Sequence, residues 1–219
     1  MLPSRPPMAY IFDMDSLLAD TSAIWREAED RLLRRLGDAW SPQWAERYRG
    51  LNASDLAAVV HGRLRPSQSL DWCRQFMHRA LREAYEVGEL TAMPGAVELV
   101  ERLHGRAPMA VASGSPREGI EIATRRLGIR VCFDAVISSE AVGRGKPAPD
   151  VFLAAAARLG AAPASCIVFE DSVVGVEAAV AAAMTCFAVP SGRTGEIARL
   201  TPHVFHSLAD ITDADLALE

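Results

Sequence analysis

From about residue 94 onward, short apolar runs alternate with amphipathic segments, and this alternation limits the folds that the chain can adopt. Five apolar runs predict strands, at residues 109–112, 135–137, 166–169, 186–189 and 203–205. Four amphipathic segments predict helices, at residues 94–103, 115–127, 147–159 and 172–183. Strands that alternate with helices form a parallel sheet with helices on both faces. The apolar run at residues 8–12 predicts one more buried strand of this α/β sheet.

Between residues 20 and 90 the pattern is helical throughout. Three helices are predicted there, at residues 22–36, 54–60 and 70–87. The apolar face of the third is predicted to comprise Cys73, Phe76, Met77, Ala80, Leu81, Ala84 and Val87. We therefore predict two domains: residues 1–18 and 91–219 form the core with the sheet, and residues 19–90 form a small inserted α-helical domain. Because the chain passes twice between them, we expect the two domains to move relative to each other.

Composition argues against several classes of protein. The net charge of the 219 residues is −5, whereas proteins that bind nucleic acid usually present a basic face. No apolar run approaches the ~20 residues that a membrane span needs. We therefore expect neither nucleic acid nor a membrane as a partner. Residues 1–7 contain three prolines and no signal-peptide core, which indicates a short disordered tail.

The four cysteines are widely spaced and show no metal-ligand pattern. Cys166 and Cys186 lie in apolar runs, which predicts buried thiols and fits a reducing cytoplasm. We expect a cytoplasmic monomer.

Polar residues follow the strands at the edge where the carboxyl ends of parallel strands meet. The first strand stops at Asp13-Met14-Asp15, and two carboxylates so close together repel each other unless a cation or hydrogen-bond donors compensate. The segments after the later strands deliver Ser113, Gly114, Lys146, Glu170 and Asp171. Open α/β sheets bind ligands at this edge. The sequence therefore predicts a functional site there.

The residue types at this edge indicate phosphoryl transfer. Carboxylates without His or Cys neighbours suit a hard cation such as Mg²⁺. A hydroxyl, an ammonium and the backbone N–H groups at a helix start suit a phosphoryl group; Ser115 is predicted to cap that helix, with Pro116 at its first position. A carboxylate can attack phosphorus to form an aspartyl-phosphate, and a second acid can protonate the leaving oxygen.

Lys146 is the only lysine of the chain, beside 22 arginines. A position that keeps lysine in so arginine-rich a sequence indicates a need for a compact ammonium, which a planar guanidinium cannot replace. The alternative is that one lysine has survived by chance.

In order and context, Asp13-Met-Asp15, Ser113, Lys146 and Glu170-Asp171 resemble the four motifs of the haloacid dehalogenase-like hydrolases. The segments Gly145-Lys-Pro-Ala-Pro-Asp150 and Glu170-Asp-Ser-Val-Val-Gly175 carry the resemblance most specifically. The family implies a Rossmann-like core and, between the first two motifs, a helical cap domain that selects the substrate.

The resemblance also implies roles for the motif residues. Asp13 would be the nucleophile and a ligand of Mg²⁺, and Asp15 the general acid/base, with its backbone carbonyl also on the metal. Asp171 would be a metal ligand, with Glu170 as a further ligand, direct or through water. The phosphoryl oxygens would be held by Ser113, Lys146 and the N–H groups of Met14 and Gly114.

Within the family, the motif around Asp13 followed by Trp25 resembles the sugar-phosphate phosphatases. The β-phosphoglucomutases carry a His where this chain has Trp25 and an Arg where it has Ala53, so a phosphomutase is the second interpretation. A non-catalytic binding protein with the same fold is the third, although none of the acids is missing. Ser16 stands where the family usually has Gly, which predicts a slightly altered loop.

Overall fold

The computed structural model of the chain describes residues 7–48 and 50–218. The predicted tail therefore lies outside the described residues, apart from Pro7.

Strands form in the apolar runs that the sequence indicates, plus one short antiparallel pair. The strands of the described ranges are β1 (Ala9–Phe12), β2 (Ala19–Asp20), β3 (Thr91–Ala92), β4 (Met109–Ser113), β5 (Ala135–Ser138), β6 (Cys166–Glu170) and β7 (Thr185–Ala188). Five of them build a parallel sheet in the order β5-β4-β1-β6-β7. The β1 strand is central and entirely buried. The predicted α/β sheet is confirmed.

Helices connect these strands and fill the inserted segment. The α-helices of the described ranges are α1 (Ser22–Arg35), α2 (Pro42–Tyr48), α3 (Ala53–Leu64), α4 (Leu70–Val87), α5 (Ala96–Leu103), α6 (Arg117–Arg126), α7 (Asp150–Leu159), α8 (Val173–Ala181) and α9 (Thr194–Leu200). Both α1 and α3 pack against α4. Residues 22–87 are thus helical apart from their loops.

The two faces of the sheet bury different side chains because successive residues of a strand point to opposite faces. Tyr10 and Phe12 enter one apolar core, and the Phe12 ring stacks on that of Phe169 with centroids 4.4 Å apart. Ala9 and Ile11 enter the other core, which also contains the buried faces of α7 and α8.

The antiparallel pair β2–β3 joins the two passages of the chain between the sheet and the helical insert. The backbone N–H of Met93 adds a hydrogen bond to the carbonyl of Leu18, 3.0 Å long. The division of the chain into domains at residues 18/19 and 90/91 remains a proposal, and this ribbon lies at both proposed boundaries.

Several sequence predictions were wrong in detail. Residues 203–205 form only a single bridge, between Val204 and Ala188, and no strand. Helix α7 begins at Asp150, because Pro147 and Pro149 occupy the preceding turn. Val87, predicted to be buried on α4, is 86% exposed, and Tyr85 takes the buried place.

Other elements were not foreseen. The predicted helix 54–60 spans 53–64, and α2 and α9 were not predicted; α9 buries only Ile197, so it shows no apolar periodicity.

Cys73, Cys132, Cys166 and Cys186 are buried free thiols, as predicted for Cys166 and Cys186. Within the described ranges, no helix combines the length and apolar character needed to cross a membrane.

Candidate active site

The sheet order brings three of the predicted motifs together. Because β4 and β6 both pair with β1, their carboxyl ends lie on either side of Asp13. Ser113 is the last residue of β4, and Glu170 is the last residue of β6. Lys146 arrives from the loop between β5 and α7, and its peptide bond to Pro147 is cis.

A buried charged cluster forms around Lys146. Its Nζ donates to Oδ1 of Asp13 and to Oε1 of Glu170, both at 2.5 Å. All three side chains are buried, and the ammonium also lies 4.9 Å from the centre of the Phe152 ring. Burial lowers the pKa of Lys146, but the charges of Asp13 and Glu170 raise it by more, so the side chain stays protonated.

The carboxylate of Glu170 orders the loop that follows β6. Its Oε2 accepts hydrogen bonds from the backbone N–H groups of Asp171 and Ser172, at 2.9 and 3.0 Å, and from the Ser172 hydroxyl at 3.0 Å. A Cβ at Gly175 would lie 1.9 Å from this carboxyl group. The glycine of the family-like segment is therefore needed for the close approach of α8 to Glu170.

The donor set fits a hard divalent cation. One carboxylate oxygen each from Asp13, Glu170 and Asp171 lies within 4.8 Å of the others, and all three residues are buried. Burial raises the pKa of Asp13 well above its usual range; Lys146 opposes this, while Glu170, Asp15 and Asp171 add to it. Three buried carboxylates facing one ammonium leave an excess of negative charge, which a Mg²⁺ ion would neutralise.

The carboxylate of Asp15 is not part of this cluster, and the role of its backbone carbonyl as a metal ligand remains a prediction. Its carboxylate instead accepts hydrogen bonds from five side chains. Oδ1 accepts from Thr21, Trp25 and Tyr85 at 2.7, 2.8 and 2.7 Å. Oδ2 accepts from the hydroxyls of Ser113 and Ser115 at 2.8 and 2.9 Å.

The predicted phosphate-binding groups surround the same edge. The backbone N–H groups of Met14 and Gly114 make no hydrogen bond to another described residue. The hydroxyl of Ser113 is engaged with Asp15, and its oxygen accepts from the N–H of Ser115. The structure thus places these groups and Lys146 at one edge; their binding of a phosphoryl group remains a prediction.

A cavity of about 870 Å³ opens above these residues, between the sheet edge and the helical insert. Asp13, Asp15 and Lys146 line its floor. From the helical insert, the lining includes Trp25, Arg26, Glu27, Glu29, Asp30, Arg34, Trp40 and Tyr48.

The insert approaches the sheet edge closely at the start of α3. Asn52 caps that helix by accepting from the N–H of Asp55, and its amide donates to the Asp55 carboxylate at 2.7 Å. A Cβ at Gly145, next to Lys146, would lie 2.0 Å from the amide nitrogen of Asn52. The loop that carries the lysine therefore lies against the helical insert.

Ser16 adopts the conformation that a glycine would adopt more easily. Its φ is 61°, in the left-handed region, and its N–H donates to the carbonyl of Ala19 at 2.8 Å. The turn is therefore formed with serine in a backbone conformation that L-residues other than glycine rarely adopt.

Sequence reasoning missed the partners of Asp15. Ser115 was interpreted as a helix cap, but neither its hydroxyl nor that of Thr21 makes a cap hydrogen bond, and both donate to Asp15. Trp25 was interpreted through its resemblance to the sugar-phosphate phosphatases and not as a partner of Asp15. Tyr85 gave no signal, because one tyrosine near the end of an amphipathic helix has the pattern of a core residue.

Comparisons with known proteins show the family to which this architecture and site belong. The sequence model of the haloacid dehalogenase-like hydrolases matches residues 7–183. The chain belongs to this family of hydrolases.

Relatives and solved structures agree with this assignment. The chain is 36% identical over 180 residues to fructose-1-phosphate phosphatase YqaB of Escherichia coli, covering 80% of this chain and 92% of the relative. It is 34% identical over 215 residues to a probable pseudouridine-5′-phosphatase of Drosophila melanogaster, covering 93% and 89%. The structure of CbbY from Rhodobacter sphaeroides in complex with phosphate superposes with a TM-score of 0.85 at 24% identity, covering 97% and 100%, which shows a shared fold.

Proposed function

We propose that this HAD-like phosphatase hydrolyses a small phosphorylated metabolite, in the first instance a sugar phosphate, through an aspartyl-phosphate on Asp13. The observation that carries the proposal is the buried group of Asp13, Lys146, Glu170 and Asp171 at the floor of the cavity. Relatives over most of the chain are named phosphatases, one of them of fructose 1-phosphate, which supports the substrate class.

The reaction proceeds in two steps. An oxygen of Asp13 attacks phosphorus, the bond from phosphorus to the ester oxygen breaks, and Asp15, which enters this step in its protonated form, gives that proton to the leaving oxygen. Water then attacks phosphorus, Asp15 takes a proton from the water, and the phosphorus–oxygen bond to Asp13 breaks to release phosphate. The two steps regenerate Asp13 and the proton on Asp15.

The remaining groups position and neutralise charge. Lys146 already contacts the Asp13 carboxylate and so reduces its repulsion for an anionic substrate. The N–H groups of Met14 and Gly114, which make no hydrogen bond to another described residue, would donate to the phosphoryl oxygens. The Ser113 hydroxyl, which donates to Asp15 in this structure, would have to turn away from Asp15 to join them. A Mg²⁺ ion held by Asp13, Asp171 and Glu170 would neutralise charge on the transferring group.

The cavity is consistent with a small polyhydroxylated substrate. A site of several hundred cubic ångströms encloses a small metabolite, and its wall on the helical insert combines the carboxylates of Glu27 and Asp30 with the aromatic rings of Trp25 and Trp40. Carboxylates accept hydrogen bonds from sugar hydroxyls. We propose that the insert acts as a cap that selects the substrate and that the enzyme works as a monomer in the cytoplasm.

Phosphate release from a panel of sugar phosphates, phosphoglycolate and nucleotides tests the proposal. We expect turnover of at least one sugar phosphate in the presence of Mg²⁺ and its loss on adding EDTA. Undiminished turnover in EDTA would contradict the metal assignment. Isomerised sugar phosphate without net phosphate release would indicate a phosphomutase, and tight binding without turnover would indicate a non-catalytic protein.

A further inference from the structure

Asp15 is held by donors from both parts of the molecule. Ser113 and Ser115 belong to the β4–α6 segment of the sheet domain, whereas Trp25 belongs to α1 and Tyr85 to α4. A carboxylate bound on both oxygens by such a set has little freedom to rotate. The orientation of Asp15 therefore depends on the helical insert as well as on the sheet.

Tyr85 is held in place by contacts with α6. Its ring is fully buried and lies so close to α6 that a Cβ at Gly119 would be 2.6 Å from Cδ2. The guanidinium of Arg126, also on α6, donates to the backbone carbonyls of Tyr85 and Gly88 at 3.1 and 2.8 Å. The end of α4 is thus fixed to the sheet domain, and the phenol occupies a defined position.

The phenol is a dependable donor to Asp15. Its oxygen lies 2.7 Å from Oδ1 of Asp15 and 2.8 Å from Oγ of Ser115.

We propose that Tyr85, assisted by Trp25, is a positioning residue that aims the Asp15 carboxyl group at the leaving oxygen of the substrate. This inference rests on the proposed role of Asp15 as general acid/base. Neither side chain touches phosphorus; each acts through Oδ1 of Asp15. Without the phenol, Oδ1 loses a short hydrogen bond, and the carboxyl group is free to turn away from the position in which proton transfer is efficient.

The dependence of the rate on the leaving group separates positioning from a merely structural role. A sugar alkoxide is strongly basic and needs a proton as it leaves, whereas 4-nitrophenolate leaves without one. The ratio kcat/KM reports the steps up to phosphorylation of the enzyme, in which the leaving group departs. A misplaced general acid therefore lowers kcat/KM for the sugar phosphate and spares that for 4-nitrophenyl phosphate.

The experiment measures kcat/KM for both esters with the wild type, Tyr85→Phe, Trp25→Phe and Asp15→Asn, and with the double variant Tyr85→Phe/Asp15→Asn. We expect Tyr85→Phe to lose roughly tenfold on the sugar phosphate and less than about twofold on the aryl ester. Trp25→Phe should show the same preference. Because the Trp25 ring also lines the cavity, its loss on the sugar phosphate is assigned to positioning only if it disappears in Trp25→Phe/Asp15→Asn, as we expect. This pair carries the test if Tyr85→Phe gives no folded protein. In the Asp15→Asn background, Tyr85→Phe should add no further loss on the sugar phosphate.

Tyr10→Phe is the matched control, since it removes a buried phenolic hydroxyl that has no hydrogen-bond partner among the described residues and lies away from the cavity lining. Tyr10→Phe should hydrolyse both esters with the kcat/KM of the wild type. Equal losses on both esters, or an additive loss in the Asp15→Asn background, would overturn the positioning role while the proposed phosphatase activity stands. A wild type inactive on both esters would overturn the proposed function itself.

Discussion

The two acids of the first motif, Asp13 and Asp15, are two residues apart and are held in different ways. Asp13 lies in a cluster built from the sheet strands and the loops that follow them, with Lys146, Glu170 and Asp171. Asp15 is held by donors from the sheet domain and from the helical insert. We infer that the sheet fixes the groups that bind and attack phosphorus. The orientation of the general acid/base, in contrast, depends on how the helical insert packs against the sheet.

Lys146→Arg should lower the catalytic rate strongly, since it alters the centre of the sheet-held cluster. The ammonium is buried against Phe152 and reaches two carboxylates at 2.5 Å, a geometry that a larger planar guanidinium cannot reproduce. We expect kcat/KM to fall by roughly tenfold or more, equivalent to at least ~1.4 kcal/mol of transition-state stabilisation.

Arg144→Lys is a matched control for this prediction, because Arg144 lies in the same loop with an exposed side chain paired to Asp150. In steady-state kinetics, Arg144→Lys should have the kcat/KM of the wild type. Full activity of folded Lys146→Arg would remove the lysine from the site.

Two glycine substitutions separate the two halves of the site. In Gly175→Ala the new methyl group would collide with the buried carboxyl of Glu170, so we expect a loss of about 3 kcal/mol in the free energy of unfolding. In Gly145→Ala the collision is with Asn52, at the contact with the insert. We expect a smaller loss, about 1 kcal/mol, with a raised KM for the metabolite.

Denaturant unfolding and kinetics on both variants test this separation. Equal losses of stability, or an unchanged KM in Gly145→Ala, would contradict the division between a sheet-held and an insert-dependent half.

Glu140, which contacts the helical insert, should make stability depend on pH. Glu140 Oε1 lies 3.1 Å from Nε2 of His78 on α4. Burial, with the charge of Glu118, raises the pKa of Glu140 to about 7 from an ordinary value of 4.5. The folded state thus binds this proton more tightly than the unfolded state, so the contribution of Glu140 to stability is present at low pH and is lost as the pH rises from 4.5 to about 7.

Glu140→Gln removes this titration. As the pH rises from about 5 to 8, the wild type loses the contribution of Glu140 and the variant does not. The unfolding free energy of Glu140→Gln minus that of the wild type should therefore increase over this range. Denaturant titrations at several pH values measure it. A difference that does not change with pH would show that Glu140 has an ordinary pKa.

Ser16→Gly should have the smallest effect. Glycine relieves a left-handed conformation that costs roughly 1–2 kcal/mol for other residues. Its greater freedom in the unfolded chain opposes this gain and lowers the free energy of unfolding by about 0.4–1 kcal/mol. We expect stability to rise by no more than about 1 kcal/mol, with kcat/KM unchanged. A marked loss of activity would show that the serine hydroxyl itself takes part in the reaction.

The sequence predicted the sheet-held part of the site better than the insert-dependent part, for a physical reason. Asp13, Ser113, Lys146 and Glu170 each follow a buried strand or precede a helix, and parallel strands necessarily bring their carboxyl ends to one edge. Local pattern and topology were therefore sufficient to bring these residues together.

The partners of Asp15 depend on how helices from separate parts of the chain pack. Tyr85 lies 70 positions from Asp15, in a helix whose periodicity reports burial and not the neighbour that a side chain meets. Val87 shows the same limit, because it fits the apolar pattern of α4 but points to solvent. Short elements such as α9 bury too little to leave a pattern.

Trapping of the phosphorylated enzyme tests the central claim most directly. The wild type, Asp13→Asn and Asp15→Asn are each mixed with Mg²⁺ and a ³²P-labelled sugar phosphate that the wild type hydrolyses, quenched in acid within the first turnover, and assayed for protein-bound label. We expect acid-stable, base-labile label on the wild type, none on Asp13→Asn, and slow labelling of Asp15→Asn, lowered on the order of 10²–10⁴-fold. Label on Asp13→Asn would contradict the assignment of Asp13 as the nucleophile.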